Sequence, residues 1–337
     1  MPAQIGVLGA GSFGTALAVQ FAASGWPTLL WVRREEAAEK LRARRRNDTY
    51  LPGVAFPQGL DVTHDFGGFD DCDTVVVAVP SHGFRRVIGD FLALRRNDAV
   101  TMVSATKGIE PITLRRMSEV TAEEAGRFGT RHRFAVFSGP TFAAELARGV
   151  PSAAVVAAAE AGLAEALCER LSSSSLRLYS ATDVVGVELA GTAKNVIAIG
   201  AGLVTGLGLG HNTVAALITR GLHEMTRLGV AFGGDPATFY GLAGLGDLVL
   251  TCTGALSRNR QIGMDIAKGK RLTDLTSDTT MVAEGVRNSV AISRLARERD
   301  VEMPIIEQMV AVLYEGKPPR QAVHDLMTRE LKHEASL

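Results

Sequence analysis

The run GTAKNVIAIGAG, Gly191–Gly202, places one lysine, Lys194, among apolar and small residues. In a helix over 184–203 the lysine would share its face with Val187, Ala190, Gly191, Ile197, Ala198 and Ala201. Val196, Ile199 and Leu203 would lie opposite. A helix apolar all round is buried. A buried amine is expensive to charge and its pKa falls. Such a lysine suits proton exchange with a hydroxyl or carbonyl oxygen. A snorkelling side chain or a structural ion pair is the competing reading, and no acid lies three or four residues away in the helix.

Other reactive side chains stand in apolar or Gly-rich company. Asp247 is alone in GLAGLGDLVLTC and reads equally well as a helix N-cap. Ser257, Arg258 and Asn259 offer a hydroxyl, a guanidinium and an amide in succession, a set suited to phosphate and also common in exposed turns. Arg260 next to them reads as surface. Lys107 in SATKGIE and Thr141 in SGPTFAAE each follow a strand, where ligands gather in an open α/β sheet. Gly139 and Pro140 make the second of these loops a turn, and Thr141 is a candidate cap for the next helix. Among the histidines, His82 follows a strand, His211 reads as a loop residue near a cap, and His223 as polar surface.

Gly9-Ala10-Gly11-Ser12-Phe13-Gly14 follows an apolar run, Ile5–Leu8, and opens a helical stretch. The glycines permit a tight turn, close approach of the backbone to a pyrophosphate, and close helix–strand packing. The helix N-terminus then faces the phosphates. An NAD-selective site usually places an acid about 20 residues further on. Here Arg33 and Arg34 occupy that position, and guanidinium forks suit the 2′-phosphate of NADPH. Glu35 and Glu36 follow directly and leave NADH open. Arg42, Arg44, Arg45 and Arg46 read as a solvated helix face.

These residues need a scaffold. Ile5–Leu8, Thr28–Val32, Thr74–Val79, Ala99–Ser104, Phe134–Phe137, Ala153–Ala157 and Leu176–Tyr179 read as strands, most of them continuous apolar runs as in parallel strands buried on both faces. Helical stretches at Thr15–Ala23, Glu35–Arg45, Gly83–Leu94 and Leu163–Ser172 alternate with them. That alternation predicts an α/β fold with a Rossmann-like doubly wound parallel sheet. Past Asp183 the strand signals stop, and the rest reads as an all-α domain. Asn212 is expected to cap a helix running to Leu228, and Pro304 to open another. The expected division is a dinucleotide-binding domain over 1–181 and a helical substrate-binding and catalytic domain over 182–337. The tetraserine Ser172–Ser175 reads as a loop.

Lys plus Arg and Asp plus Glu both number 36, so the formal net charge is zero and a general nucleic-acid or membrane-surface binder is disfavoured. Cys72, Cys168 and Cys252 are widely spaced and read as reduced thiols of a cytoplasmic protein, with no metal site. The first 32 residues lack Lys and Arg, so a signal peptide is not expected. No integral membrane segment is expected, and a homodimer is left open.

Taken together, GAGSFGTALA, LPGVAFP, VVAVPSHGFR, ATKGIE, SGPTFAAELARG, ELAGTAKNVIAIGAG, NTVAALITRGLHEM, GLAGLGDLVLTCTGALSRNR and VAEGVRN resemble the bacterial-type NAD(P)-dependent glycerol-3-phosphate dehydrogenases over nearly the whole chain. The resemblance implies reversible reduction of dihydroxyacetone phosphate to sn-glycerol 3-phosphate, for phospholipid synthesis. It implies Lys194 as the proton donor and acceptor. It implies substrate contacts from Lys107, Gly139, Thr141, Lys194, Asp247, Ser257, Arg258 and Asn259. Cofactor contacts would come from the glycine turn with Ser12 and Phe13, and from Arg33, Arg34, Lys107, Ala143, Arg258, Val282 and Glu284. Phe13 departs from the Trp or Tyr frequent there but keeps an aromatic ring. A hydroxy-acid dehydrogenase of similar layout and a non-catalytic nicotinamide-redox sensor are the alternatives.

Overall fold

The computed structural model describes residues 4–95, 100–276, 283–331 and 333–334. The chain forms two compact units. One comprises Met1–Glu110 with Arg115–Val184, the other Pro111–Leu114 with Val185–Leu337.

The first unit is an eight-stranded sheet. Its strands are β1 (Gln4–Leu8), β2 (Thr28–Trp31), β3 (Leu60–Thr63), β4 (Cys72–Val77), β5 (Val100–Ser104), β6 (His132–Ser138), β7 (Ser152–Ala157) and β8 (Leu176–Ala181). Helices α1 (Ser12–Ala23), α2 (Glu35–Arg44), α3 (Ser81–Leu94), α4 (Met117–Phe128), α5 (Ala143–Ala147) and α6 (Ala161–Leu171) run between them. The order β3-β2-β1-β4-β5-β6-β7-β8 reverses direction between β1 and β4. That is a topological switch point, where a crevice opens beyond the carboxyl ends of the strands. The central strands β1, β2, β4 and β5 pair in parallel with helices over both faces, while the edge strands β3 and β8 each keep exposed positions.

Two features depart from the expected scaffold. β7 runs antiparallel to β6, with Val136 opposite Ala157. The intervening α5 has 5 residues. It rises about 7.5 Å, against about 18 Å for the 12-residue α1 that crosses between the parallel β1 and β2. The second departure is β3, whose four residues LDVT gave no apolar run. The basic stretch after α2 is not simply a solvated face either. Arg45 adopts φ 51° and ends α2. It donates to Leu60 O and Pro57 O at 2.7 Å each, which ties the helix end to the start of β3.

The second unit is helical. It contains α7 (Val184–Gly206), α8 (Gly210–Ala231), α9 (Pro236–Tyr240), α10 (Asp247–Thr253), α11 (Arg258–Ala267), α12 (Leu272–Thr276), α13 (Glu284–Glu298), α14 (Pro304–Tyr314) and α15 (Pro319–Met327). A single π-turn, Leu242–Gly246, runs into α10. Helix α7 is buried without interruption from Gly186 to Val204. By length and hydropathy it would qualify as a membrane span, yet 89% of that window lies inside the protein, so it is the unit's core helix. Two expected starts differ in outcome. Asn212 lies inside α8 and caps nothing, because the helix already begins at Gly210; His211 is therefore helical and exposed. Pro304 does open α14, and the buried Glu224 carboxylate accepts from Ile305 N (2.8 Å) and Ile306 N (3.3 Å) in its first turn.

Glycines let α7 meet α11 at backbone contact. A Cβ on Gly202 would overlap the Arg260 carbonyl oxygen, and one on Gly263 would overlap that of Ile199. The small residues after Lys194 therefore have a packing function. They bring the start of α11, with Arg258 and Asn259, against the lysine helix.

Candidate active site

In the first unit the glycine turn joins β1 to α1 as the motif requires. Gly9 has φ +115°, and a Cβ there would lie 2.6 Å from Ala78 O. A Cβ on Gly14 would overlap the Gly9 carbonyl oxygen. A Cβ on Gly11 would meet nothing within 4 Å, so the outer side of the turn is open to an incoming group. Ser12 and Phe13 form the first turn of α1. These residues fit a dinucleotide diphosphate, with α1 pointing its N-terminus at it. Arg33 and Arg34 follow β2 and are exposed; Arg34 takes the N-cap position of α2, and Glu35 and Glu36 fill its first turn.

Four of the expected residues gather beside this turn. Lys107 Nζ donates to Gly139 O at 3.1 Å and stands 5.6 Å from the centroid of the Phe13 ring, a cation–π distance. Phe13 packs against Phe137, which leads into Gly139. Gly139 has φ +147°, and a Cβ there would lie 2.8 Å from Ala154 Cα. Thr141 is buried and donates to Gly139 O at 3.1 Å. It does not cap α5, whose N-cap position is Phe142 with no side-chain bond; Ala143 opens that helix. His82 lies exposed in the first turn of α3.

In the second unit Lys194 is 5% exposed. Its Nζ donates to Asp247 Oδ1 at 2.6 Å and to Thr251 Oγ1 at 2.8 Å. Thr251 Oγ1 donates in turn to Asp247 O at 2.6 Å. The acid missing from the lysine's own helix comes from α10. Asp247 is 1% exposed and sits in the first turn of α10, not at a cap. The carboxylate and the hydroxyl together hold Nζ at one place in the buried site. Thr251 was not singled out in the sequence. Its signal is the four-residue spacing from Asp247, which puts both side chains on one helix face.

The Ser-Arg-Asn triplet is a buried helix start and not an exposed turn. Ser257 is the N-cap of α11 and accepts from Arg260 N at 3.3 Å. Arg258 is half-buried, and burial holds its guanidinium below the usual arginine range. Asn259 Nδ2 donates to Asn195 Oδ1 at 2.9 Å, and its Oδ1 accepts from Gly285 N at 3.1 Å. Asn259 thus links the residue after Lys194 to the start of α13, where Glu284 lies. Val282 lies outside the described residues. His223 is half-buried and not plain surface; burial, then Arg220, holds it below the ordinary histidine range. Cys252 is buried close to the ion pair, and burial pushes its thiol up to about 12, so it stays protonated.

Family models agree with this arrangement over most of the chain. The N-terminal model of NAD-dependent glycerol-3-phosphate dehydrogenase matches residues 4–164, and the C-terminal model matches residues 183–324. A glycerol-3-phosphate dehydrogenase [NAD(P)+] of Geobacter sp. (strain M21) is 48% identical over 335 residues, covering 99% of both chains. The corresponding protein of Syntrophobacter fumaroxidans is 47% identical, covering 99% of this chain and 98% of its own. The crystal structure of glycerol-3-phosphate dehydrogenase from Coxiella burnetii superposes with TM-score 0.91 at 38% identity, covering 97% of this chain and 99% of that one. A ketopantoate reductase from Ralstonia eutropha, at 14% identity and TM-score 0.58 over 95% of this chain and 100% of its own, shares the fold alone. The lysine helix, its acid on α10 and the two matching halves agree: the chain belongs to the NAD-dependent glycerol-3-phosphate dehydrogenase family.

Proposed function

We propose that the chain interconverts dihydroxyacetone phosphate and sn-glycerol 3-phosphate with NADPH or NADH. The product would supply phospholipid backbones in the cytoplasm. Residues 1–181 would bind the dinucleotide, and residues 182–337 would carry substrate binding and catalysis. The observation that carries the reading is the buried Lys194 Nζ held by Asp247 and Thr251. A redox sensor would have no use for a lysine in the core helix of the second unit.

The nicotinamide, when bound, supplies the hydride in one direction and accepts it in the other. The chain's own residues handle the proton and the phosphate. Lys194 Nζ gives a proton to the carbonyl oxygen as hydride reaches the carbon, and recovers one from the hydroxyl in oxidation. Its positive charge stabilises the developing alkoxide before the proton moves. Asp247 and Thr251 fix Nζ in one place, which avoids reorganisation at the moment of reaction. Arg258 would hold the phosphate by charge-assisted hydrogen bonds, with Ser257 and Asn259 beside it. Lys107, Gly139 and Thr141 would add substrate contacts, and Lys107, Ala143, Arg258, Val282 and Glu284 cofactor contacts. Arg33 and Arg34 would read a ribose 2′-phosphate and so favour NADPH.

The test is to mix the protein with dihydroxyacetone phosphate and each reduced cofactor separately and follow loss of reduced nicotinamide. Oxidation that requires the phosphorylated ketone is the expected result. No oxidation with either cofactor, or equal turnover of 2-keto acids, would overturn the reading.

A further inference from the structure

We infer that Asn47 is a positioning residue that fixes the dinucleotide turn from the far end of α2. This rests on the reading of the glycine turn as the diphosphate site. Asn47 is 2% exposed. Its Nδ2 donates to Ala10 O at 2.9 Å, inside the glycine motif, and to Thr15 Oγ1 at 2.8 Å, on the first turns of α1. The carbonyl of Ala10 only accepts, so the amide nitrogen and not the oxygen must face it. One side chain therefore holds both the turn that would cradle the diphosphate and the helix that would point at it.

The brace is itself anchored. Two residues earlier, Arg45 is fastened to Pro57 O and Leu60 O. Leu51 N also donates to Asn47 O at 2.8 Å. Helix α2 thus starts at Arg34, beside the expected 2′-phosphate reader, and ends two residues short of Arg46-Asn47, beneath the expected diphosphate turn. The two ends would act on different parts of the cofactor. The arginines would distinguish NADPH from NADH, whereas Asn47 would act on the diphosphate that both share. A buried donor removed from two acceptors leaves them unsatisfied, a costly state. The turn then has to relax to recover its hydrogen bonds, and the open backbone at Gly11 loses its preset shape.

Asn47→Leu keeps the branched shape, at a somewhat larger volume, and removes the donor. Direct titration should show Kd for NADH and NADPH rising by the same factor, roughly tenfold or more, equivalent to about 1.4 kcal/mol per decade. At saturating cofactor, kcat should stay within about twofold, since no group near Lys194 changes. Adenosine 2′-phosphate, which has no diphosphate, should compete as it does against the wild type. Thr15→Val removes one of the two acceptors and should produce a smaller, equally non-selective loss. The opposite control is Arg33→Ala with Arg34→Ala, which should weaken NADPH far more than NADH. The inference is overturned by unchanged Kd values, by a loss confined to one cofactor, or by parallel loss of adenosine 2′-phosphate with a collapse of kcat, which marks general damage. Wild-type protein that binds neither reduced cofactor overturns the cofactor reading itself.

Discussion

Lys194 shows how one residue's chemistry depends on a partner that its own helix does not supply. Desolvation alone would push a buried lysine toward the neutral amine. The partner is Asp247, whose Oδ1 comes from α10 to 2.6 Å from Nζ. Lys194→Met should abolish most turnover while leaving cofactor binding near normal, and should also lower stability, because the buried Asp247 carboxylate loses the amine that pairs with it. Lys194→Arg should also fail, because a guanidinium stays protonated and cannot take a proton in the oxidative direction. Steady-state rates in both directions check this; near wild-type turnover in either variant would remove the lysine from the mechanism. Arg258 supplies a second residue-level prediction. Truncating one partner of a desolvated charge pair costs about 2–5 kcal/mol. Arg258→Ala should then lower kcat/KM for dihydroxyacetone phosphate by roughly two orders of magnitude, at about 1.4 kcal/mol per decade. Unphosphorylated dihydroxyacetone, assayed at saturating cofactor, should be affected much less. An equal factor for both would show that Arg258 does not read the phosphate.

At the scale of elements, the site depends on how closely two helices approach. Gly202 of α7 and Gly263 of α11 each face the other helix's backbone. That contact sets where Asn259 meets Asn195, one residue from Lys194. A Cβ on Gly202 would meet a backbone carbonyl, which cannot swing aside as a flexible side chain does. Gly202→Ala should therefore destabilise the protein at the upper end of the overpacking range, about 3 kcal/mol. It should also lower kcat/KM, because α11 must shift and carry Arg258 and Asn259 with it. Thermal unfolding and steady-state kinetics on the same preparation test both. Unchanged stability with unchanged turnover would show that the helices have slack that the structure does not suggest.

For the whole molecule, stability should depend on pH through Glu224. Burial pushes this carboxyl up from 4.5 to about 7, and nearby Glu307 adds to the rise. The amides of Ile305 and Ile306, with Arg227, pull it the other way without cancelling it. A raised folded-state value means that the native protein holds the proton more tightly than the unfolded chain. Stability is then present below about pH 4.5 and is lost as pH rises through about 7. The full effect corresponds to about 3 kcal/mol. Glu224→Gln keeps an acceptor for α14 and cannot ionise. The Tm of wild type minus that of the variant should fall between pH 5 and pH 8. A pH-independent difference would mean that Glu224 does not titrate in this range.

Local chemistry was legible in the sequence where it depends on neighbours along the chain. Apolar runs marked most of the strands, because a strand buried on both faces has no polar positions, whereas edge strand β8 alternates buried and exposed residues. The glycine turn was legible because backbone geometry there demands residues without Cβ. Lys194 stood out because a charge in an all-apolar helix has no local explanation. What depends on distant segments was not legible. Asp247 and Thr251 reach Lys194 from 53 and 57 residues further along the chain. Asn47 reaches Ala10 across 37 residues. Sequence periodicity carries no information about such pairings, which arise only when packed helices and strands bring the side chains together. Thr141, Asn212 and Arg45 mark the same limit, since capping and solvation depend on where a helix begins and what lies beyond its end. The residue types were set by the chain itself, and tertiary packing decided their partners and hence which charged forms they adopt.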